Sequence, residues 1–226
     1  MSVHEGHRER LRQRFLQVGL QGFEDHTALE LLLFYAQPRR DVNETAHLLL
    51  NSFGSLERVF SATPEELMTV KGVRKNTAVL LRLVSELAQR SLLAEQAPRA
   101  VLDSPEAVGR YLLPRFMNCR SETVLLLCLD ATLRAVDCRA VGSGDLTSAH
   151  LSVRQIVQQA LLHDARYAVL AHNHPGGYAL PSEEDKAATL RVRDALRQVE
   201  VELVDHIIVA GDDFVSLADD GLFRNR

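Results

Sequence analysis

An unbroken apolar run, Tyr167-Ala168-Val169-Leu170-Ala171, ends directly in His172-Asn173-His174-Pro175-Gly176-Gly177. This junction limits the fold more than any other segment. The run reads as a strand buried on both faces. Proline and two glycines then stop it and turn the chain. A helix opens at Ser182 and continues through an amphipathic segment rich in helix formers. The result is a strand, a sharp turn and a helix, with polar side chains collected where the strand stops.

The side chains at that junction suit a metal. At period two, His172 and His174 leave the same side of the strand end, with Cα atoms about 6.6 Å apart. Asp185 falls in the first turn of the following helix, where its carboxylate can point back at the histidine pair. Two imidazoles and one carboxylate form a catalytic-zinc ligand set, with a fourth position left for water. One zinc per chain is therefore expected, on His172, His174 and Asp185. Ser182 and Asp185 also fit a capping box, in which the serine oxygen accepts a helix N–H and the carboxylate reaches back. A zinc-bound water needs a proton acceptor. Glu122 is the best placed candidate, at the mouth of the strongest apolar strand, although spacing alone favours reading it as a solvated strand start.

The rest of the chain sets this unit in an α/β domain preceded by an all-helical one. Helices are expected at 6–18, 25–35, 43–51, 55–60, 64–69 and 75–90, with almost no strand signal among them. After a linker near 91–103 the pattern becomes mixed. A helix at 104–117 and strands at 122–129 and 134–141 are followed by a helix at 151–163. The strand at 167–171, the helix at 183–199 and strands at 201–210 and 214–217 complete it. This order implies a mixed sheet flanked by helices, with domains at 1–98 and 103–226. Asp205 and His206 form another polar pair, and His206 reads as a hydrogen-bonded core histidine, with a partner of the metal ligands as the alternative.

With 46% hydrophobic and 25% charged residues, the composition is that of an ordinary globular protein. No apolar run reaches the roughly 18 residues of a membrane span, and the first ten residues lack a signal-peptide core, so no membrane partner is expected. Cys119, Cys128 and Cys138 form no C-x-x-C pair, which indicates a reducing, cytoplasmic setting. Through Pro98, 12 Lys and Arg balance 12 Asp and Glu, so the acidic excess lies in the remainder.

Glu122, then H-N-H, then S-x-x-D resembles the JAMM (MPN-plus) metallopeptidase signature. Over nearly its whole length the chain resembles the bacterial RadC family. The resemblance rests on residues 6–15 (G-H-R-E-R-L-R-Q-R-F), 30–43 (E-L-L-L-F-Y-A-Q-P-R-R-D-V-N), 171–177 (A-H-N-H-P-G-G) and 205–217 (D-H-I-I-V-A-G-D-D-F-V-S-L). It implies a JAMM-type, cytidine-deaminase-like sheet and hydrolysis of a peptide or isopeptide. His172, His174 and Asp185 would bind zinc, Glu122 would act as general acid/base, and Ser182 would stabilise the oxyanion. Two departures bear on the rim of the site. Leu151-Ser152-Val153-Arg154-Gln155 stands where relatives carry a His-Pro-Arg-Glu run, and Gly176-Gly177 stands where many have serine after the proline.

Residues 67–78 resemble a helix-hairpin-helix, a motif that holds a DNA phosphate on backbone N–H groups. Gly72 fits its first glycine, Arg74 replaces the second, and Lys71 and Lys75 add charge; the basic helix at 6–18 could add phosphate contacts. DNA is thus a candidate partner of the first domain. The rival function is a DNA-associated binding protein whose zinc is structural. A zinc deaminase is disfavoured by the absence of C-x-x-C and H-x-E, and a single three-ligand site gives no sign of a two-metal nuclease.

Overall fold

A computed structural model describes residues 3–96, 100–143, 152–219 and 221. The chain separates into two compact units, Met1–Ala88 and Gln89–Arg226. The first contains α1 (Val3–Val18), α2 (Asp25–Ala36), α3 (Asn43–Phe53), α4 (Leu56–Ser61), α5 (Pro64–Leu67) and most of α6 (Lys75–Glu95). Its core is built from Leu29, Leu33, Leu49, Val59, Leu67 and Leu81, all essentially inaccessible. Local chemistry delimits the short helices. Ser55 caps α4, Thr63 and Glu66 close a capping box on α5, and Gly54 ends α3 in the left-handed conformation.

The basic residues of α1 serve this fold. Arg8 donates to the carbonyls of Gln37, Pro38 and Arg40, and its guanidinium lies over the Phe34 ring. Arg14 donates to the Gly22 carbonyl and covers Phe23. These arginines fasten α1 to the helix and turns beside it.

The second unit holds the end of α6, then α7 (Pro105–Phe116), β1 (Thr123–Leu129), β2 (Ala135–Ser143), α8 (Val153–Leu162), β3 (Tyr167–Asn173), α9 (Glu183–Arg197), β4 (Glu202–Ala210) and β5 (Asp213–Ser216). The five strands form one mixed sheet in the order β2-β1-β3-β4-β5. Only β3 and β4 are parallel, and α9 is their crossover. Strand parity sorts the side chains. Val124, Leu126, Cys128, Ala168 and Leu170 meet Ile156 of α8 and Val192 and Leu196 of α9. Leu125, Leu127, Leu129, Val169 and Ala171 meet Val108, Leu112 and Phe116 of α7. Both faces are covered, which is why β1 and β3 are continuous apolar runs.

The element order matches the reading of the sequence, and the differences have local causes. α6 runs on to Glu95, because its last residues, S-L-L-A-E, are tolerated in a helix and no glycine or proline interrupts them. Gln89 donates to the carbonyls of Pro114 and Met117, and Gln96 to that of Tyr111. The end of α6 therefore belongs to the second unit, and the division falls inside this helix, upstream of the linker read from composition. β3 extends through His172 and Asn173, which keep the ladder although polar. Pro98, Leu151 and 222–226, which bear on the expected boundaries and on the rim, lie outside the described residues.

Candidate metal centre

The site forms at the carboxyl end of β3, beside the start of α9, in the crevice where ligands of α/β sheets commonly sit. His172 is the penultimate residue of β3 and only 1% exposed. His174 lies just past the strand, but its N–H still donates to the Val209 carbonyl of β4 at 2.8 Å. That bond carries the strand period through the turn, so both imidazoles face the start of α9. Their Nε2 atoms are 2.8 Å apart. Asp185 Oδ1 lies 3.3 Å from His172 Nε2, and Oδ2 lies 3.9 Å from His174 Nε2. With one donor atom taken from each residue, the three lie within 4.8 Å of one another. The donor set therefore fits one zinc-sized ion.

The capping and ligand readings of Asp185 share its carboxylate: Oδ2 carries the cap and is also the oxygen nearest His174, while Oδ1 is nearest His172. Oδ2 accepts from the Ser182 N–H (2.9 Å) and hydroxyl (2.6 Å), while Ser182 Oγ accepts from the Asp185 N–H (3.0 Å). This closes the box at the start of α9. Oδ1 is left facing His172. The Ser182 hydroxyl proton is thus engaged with Asp185 in this arrangement.

Glu122 stands half-buried immediately before β1. β1 and β3 are antiparallel with Val124 opposite His172. That is the last pair of their ladder, and Glu122 precedes it by two residues. Asn173 fastens this stretch of chain. Its Oδ1 accepts from the Thr123 N–H (2.8 Å) and its Nδ2 donates to the Ser121 carbonyl (3.3 Å), so it holds both neighbours of Glu122.

The other ring nitrogens of the ligand histidines are also engaged. His174 Nδ1 lies 3.0 Å from the Tyr178 carbonyl. His172 Nδ1 lies 2.8 Å from His206 Nε2, and His206 Nδ1 lies 2.5 Å from Thr189 Oγ1. His206 is the buried, hydrogen-bonded core histidine read from the sequence, and its partner is a candidate ligand. Burial first, then the adjoining His172 and His174, holds its pKa well below the ordinary 6.5. Reading the sequence missed Thr189, Asn173 and the Tyr178 carbonyl. Only Thr189 left a local signal, four residues after Asp185 and so on the same face of the helix.

The residues of the candidate phosphate hairpin lie in the first unit. Gly72 has φ +92°, and its carbonyl accepts from the Gln37 amide at 2.8 Å. Lys71, Arg74 and Lys75 are exposed, and Lys71 forms a surface ion pair with Glu44 at 3.1 Å. Among the described residues, no helix is long and apolar enough to cross a membrane.

A family model described as the RadC-like JAB domain matches residues 102–222. A UPF0758 protein of Bordetella petrii is 36% identical over 214 residues, covering 95% of each chain. Another, of Bordetella parapertussis, is 38% identical over 210 residues and 93% of each chain. A third, of Burkholderia thailandensis, is 37% identical over 93% of this chain and 80% of its own length.

Proposed function

Because the chain belongs to the RadC family and carries its JAB domain, we propose that it is a zinc-dependent hydrolase of an amide-type bond, a metallopeptidase or isopeptidase in kind. The observation that carries this reading is the convergence of His172 Nε2, His174 Nε2 and the Asp185 carboxylate on one point at a strand end. These three residues would hold one zinc per chain. Bound there, zinc would supply Lewis acidity, polarising a carbonyl and lowering the pKa of a water to about 7.

The chain's own residues supply the rest. Glu122 takes the proton from the attacking water and delivers it to the departing amine nitrogen as the C–N bond breaks. Ser182 donates to the oxygen that gains charge in the transition state, which requires its proton to turn from Asp185 Oδ2. A donor in that role is typically worth about 3 kcal/mol. Three unpaired cysteines support a reducing, cytoplasmic setting.

The test is metal content by plasma mass spectrometry, on protein purified without chelator or metal-affinity tag. Wild type and Glu122→Ala should each carry about one zinc, and the double variant His172→Ala, His174→Ala should carry none. Against a library of peptides and isopeptides, wild type should cleave and Glu122→Ala should not. A wild-type chain that takes up no supplied zinc would remove the reading.

A further inference from the structure

The proton order along His172, His206 and Thr189 follows from the last acceptor. The Asp185 backbone carbonyl can only accept, so the Thr189 hydroxyl donates to it, at 2.6 Å. That uses the one hydroxyl proton. At 2.5 Å from His206 Nδ1 the Thr189 oxygen must therefore accept, and Nδ1 carries the hydrogen. A neutral imidazole has a single N–H, so His206 Nε2 is a lone pair. At 2.8 Å from it, His172 Nδ1 must donate. His172 Nε2 is then left as a lone pair directed at the ligand point. His174 reaches the same state by a shorter route, because its Nδ1 donates to the Tyr178 carbonyl.

Two imidazole lone pairs thus face one another at 2.8 Å, with a carboxylate oxygen 3.3 Å from one of them. Only a cation or a shared proton relieves that arrangement. We infer that Thr189 and His206 are positioning residues that hold His172 as its Nδ1–H tautomer, so that the ligand face is set before an ion arrives. Asp185 then stands at both ends of the circuit, its carboxylate beside His172 and its carbonyl anchoring the relay. Ligand histidines commonly donate their second N–H to a carboxylate, a carbonyl or water. Here the acceptor is a neutral imidazole, so the relay adds no negative charge beside the ion. Its purpose rests on the metal reading proposed above; its proton order does not.

The test uses the full chain and its variants Thr189→Val, which removes the hydroxyl at similar volume, and Thr189→Ser, which keeps it. Zinc affinity is measured by competition with a chromophoric chelator. Ring tautomers are read by long-range proton–nitrogen NMR on zinc-free protein at pH 8. Wild type should show His172, His174 and His206 each carrying a proton on Nδ1. Thr189→Val should weaken zinc binding by about 10- to 100-fold, and Thr189→Ser by no more than about twofold. Thr189→Val binding zinc as tightly as wild type would overturn the inference, and so would wild-type His172 with no proton on Nδ1. If wild type takes no zinc, the metal reading fails and the tautomers alone decide the relay. They also decide it if Thr189→Val does not fold.

Discussion

Asn173 separates the two ligand histidines in sequence, and strand alternation turns its side chain away from them. It holds the chain on either side of Glu122 instead, so one dipeptide, His172-Asn173, carries both a candidate ligand and the fastening of the proposed base. Asn173→Ala should leave zinc at one per chain while kcat, on whichever substrate the library yields, falls by on the order of 100-fold, the penalty of a misplaced group. Releasing the Thr123 N–H should also cost about 1–3 kcal/mol in a denaturant titration. Cys128 gives a residue-scale prediction of another kind. Burial pushes its thiol from the ordinary 9.0 up to about 12. The folded chain keeps that proton longer than the unfolded one, so the stabilisation is complete below about pH 9 and is lost as pH rises toward 12. The difference in melting temperature between wild type and Cys128→Ala should therefore narrow from pH 8 to pH 11; a constant difference would refute the assignment.

At the scale of elements, the turn before α6 shows how a single residue type can be required twice. Gly72 has a positive φ, and a Cβ there would lie 2.4 Å from Thr45 Oγ1 of α3. Gly72→Ala should destabilise the first unit by about 1–3 kcal/mol in a denaturant titration, through backbone strain and displacement of Thr45. The same glycine suggests a phosphate-binding hairpin when seen only as sequence, and in the fold it also packs against α3. Elements were most legible where burial dictates composition. β1 and β3 announce themselves as apolar runs because helices cover both sheet faces. The last turn of α6 was not legible, since residues 91–95 and the adjoining Gln96 look like linker until the carbonyl partner of Gln96 on α7, Tyr111, is known. β3 was read two residues short for a similar reason, because His172 and Asn173 are polar but still paired, His172 on both sides and Asn173 with β4.

For the molecule as a whole, local and non-local information divide the site in two. His172, His174, Ser182 and Asp185 could be found from the sequence, because one turn brings them together. The pairing of β1 with β3 that brings Glu122 to the same sheet end as His172, and the relay from His172 through His206 to Thr189, depend on the strand order β1-β3-β4, which no local pattern states. Resemblance to a known family supplied the role of Glu122; nothing in the sequence supplied Thr189. The short span of the ligands has a further consequence. All three come from a stretch of fourteen residues. Closing so small a loop costs little chain entropy. A chain whose sheet has melted can still wrap an ion with the same two imidazoles and carboxylate. An ion held by both states stabilises the native one only by the difference between them, so zinc should raise the melting temperature less than its affinity for the folded protein implies.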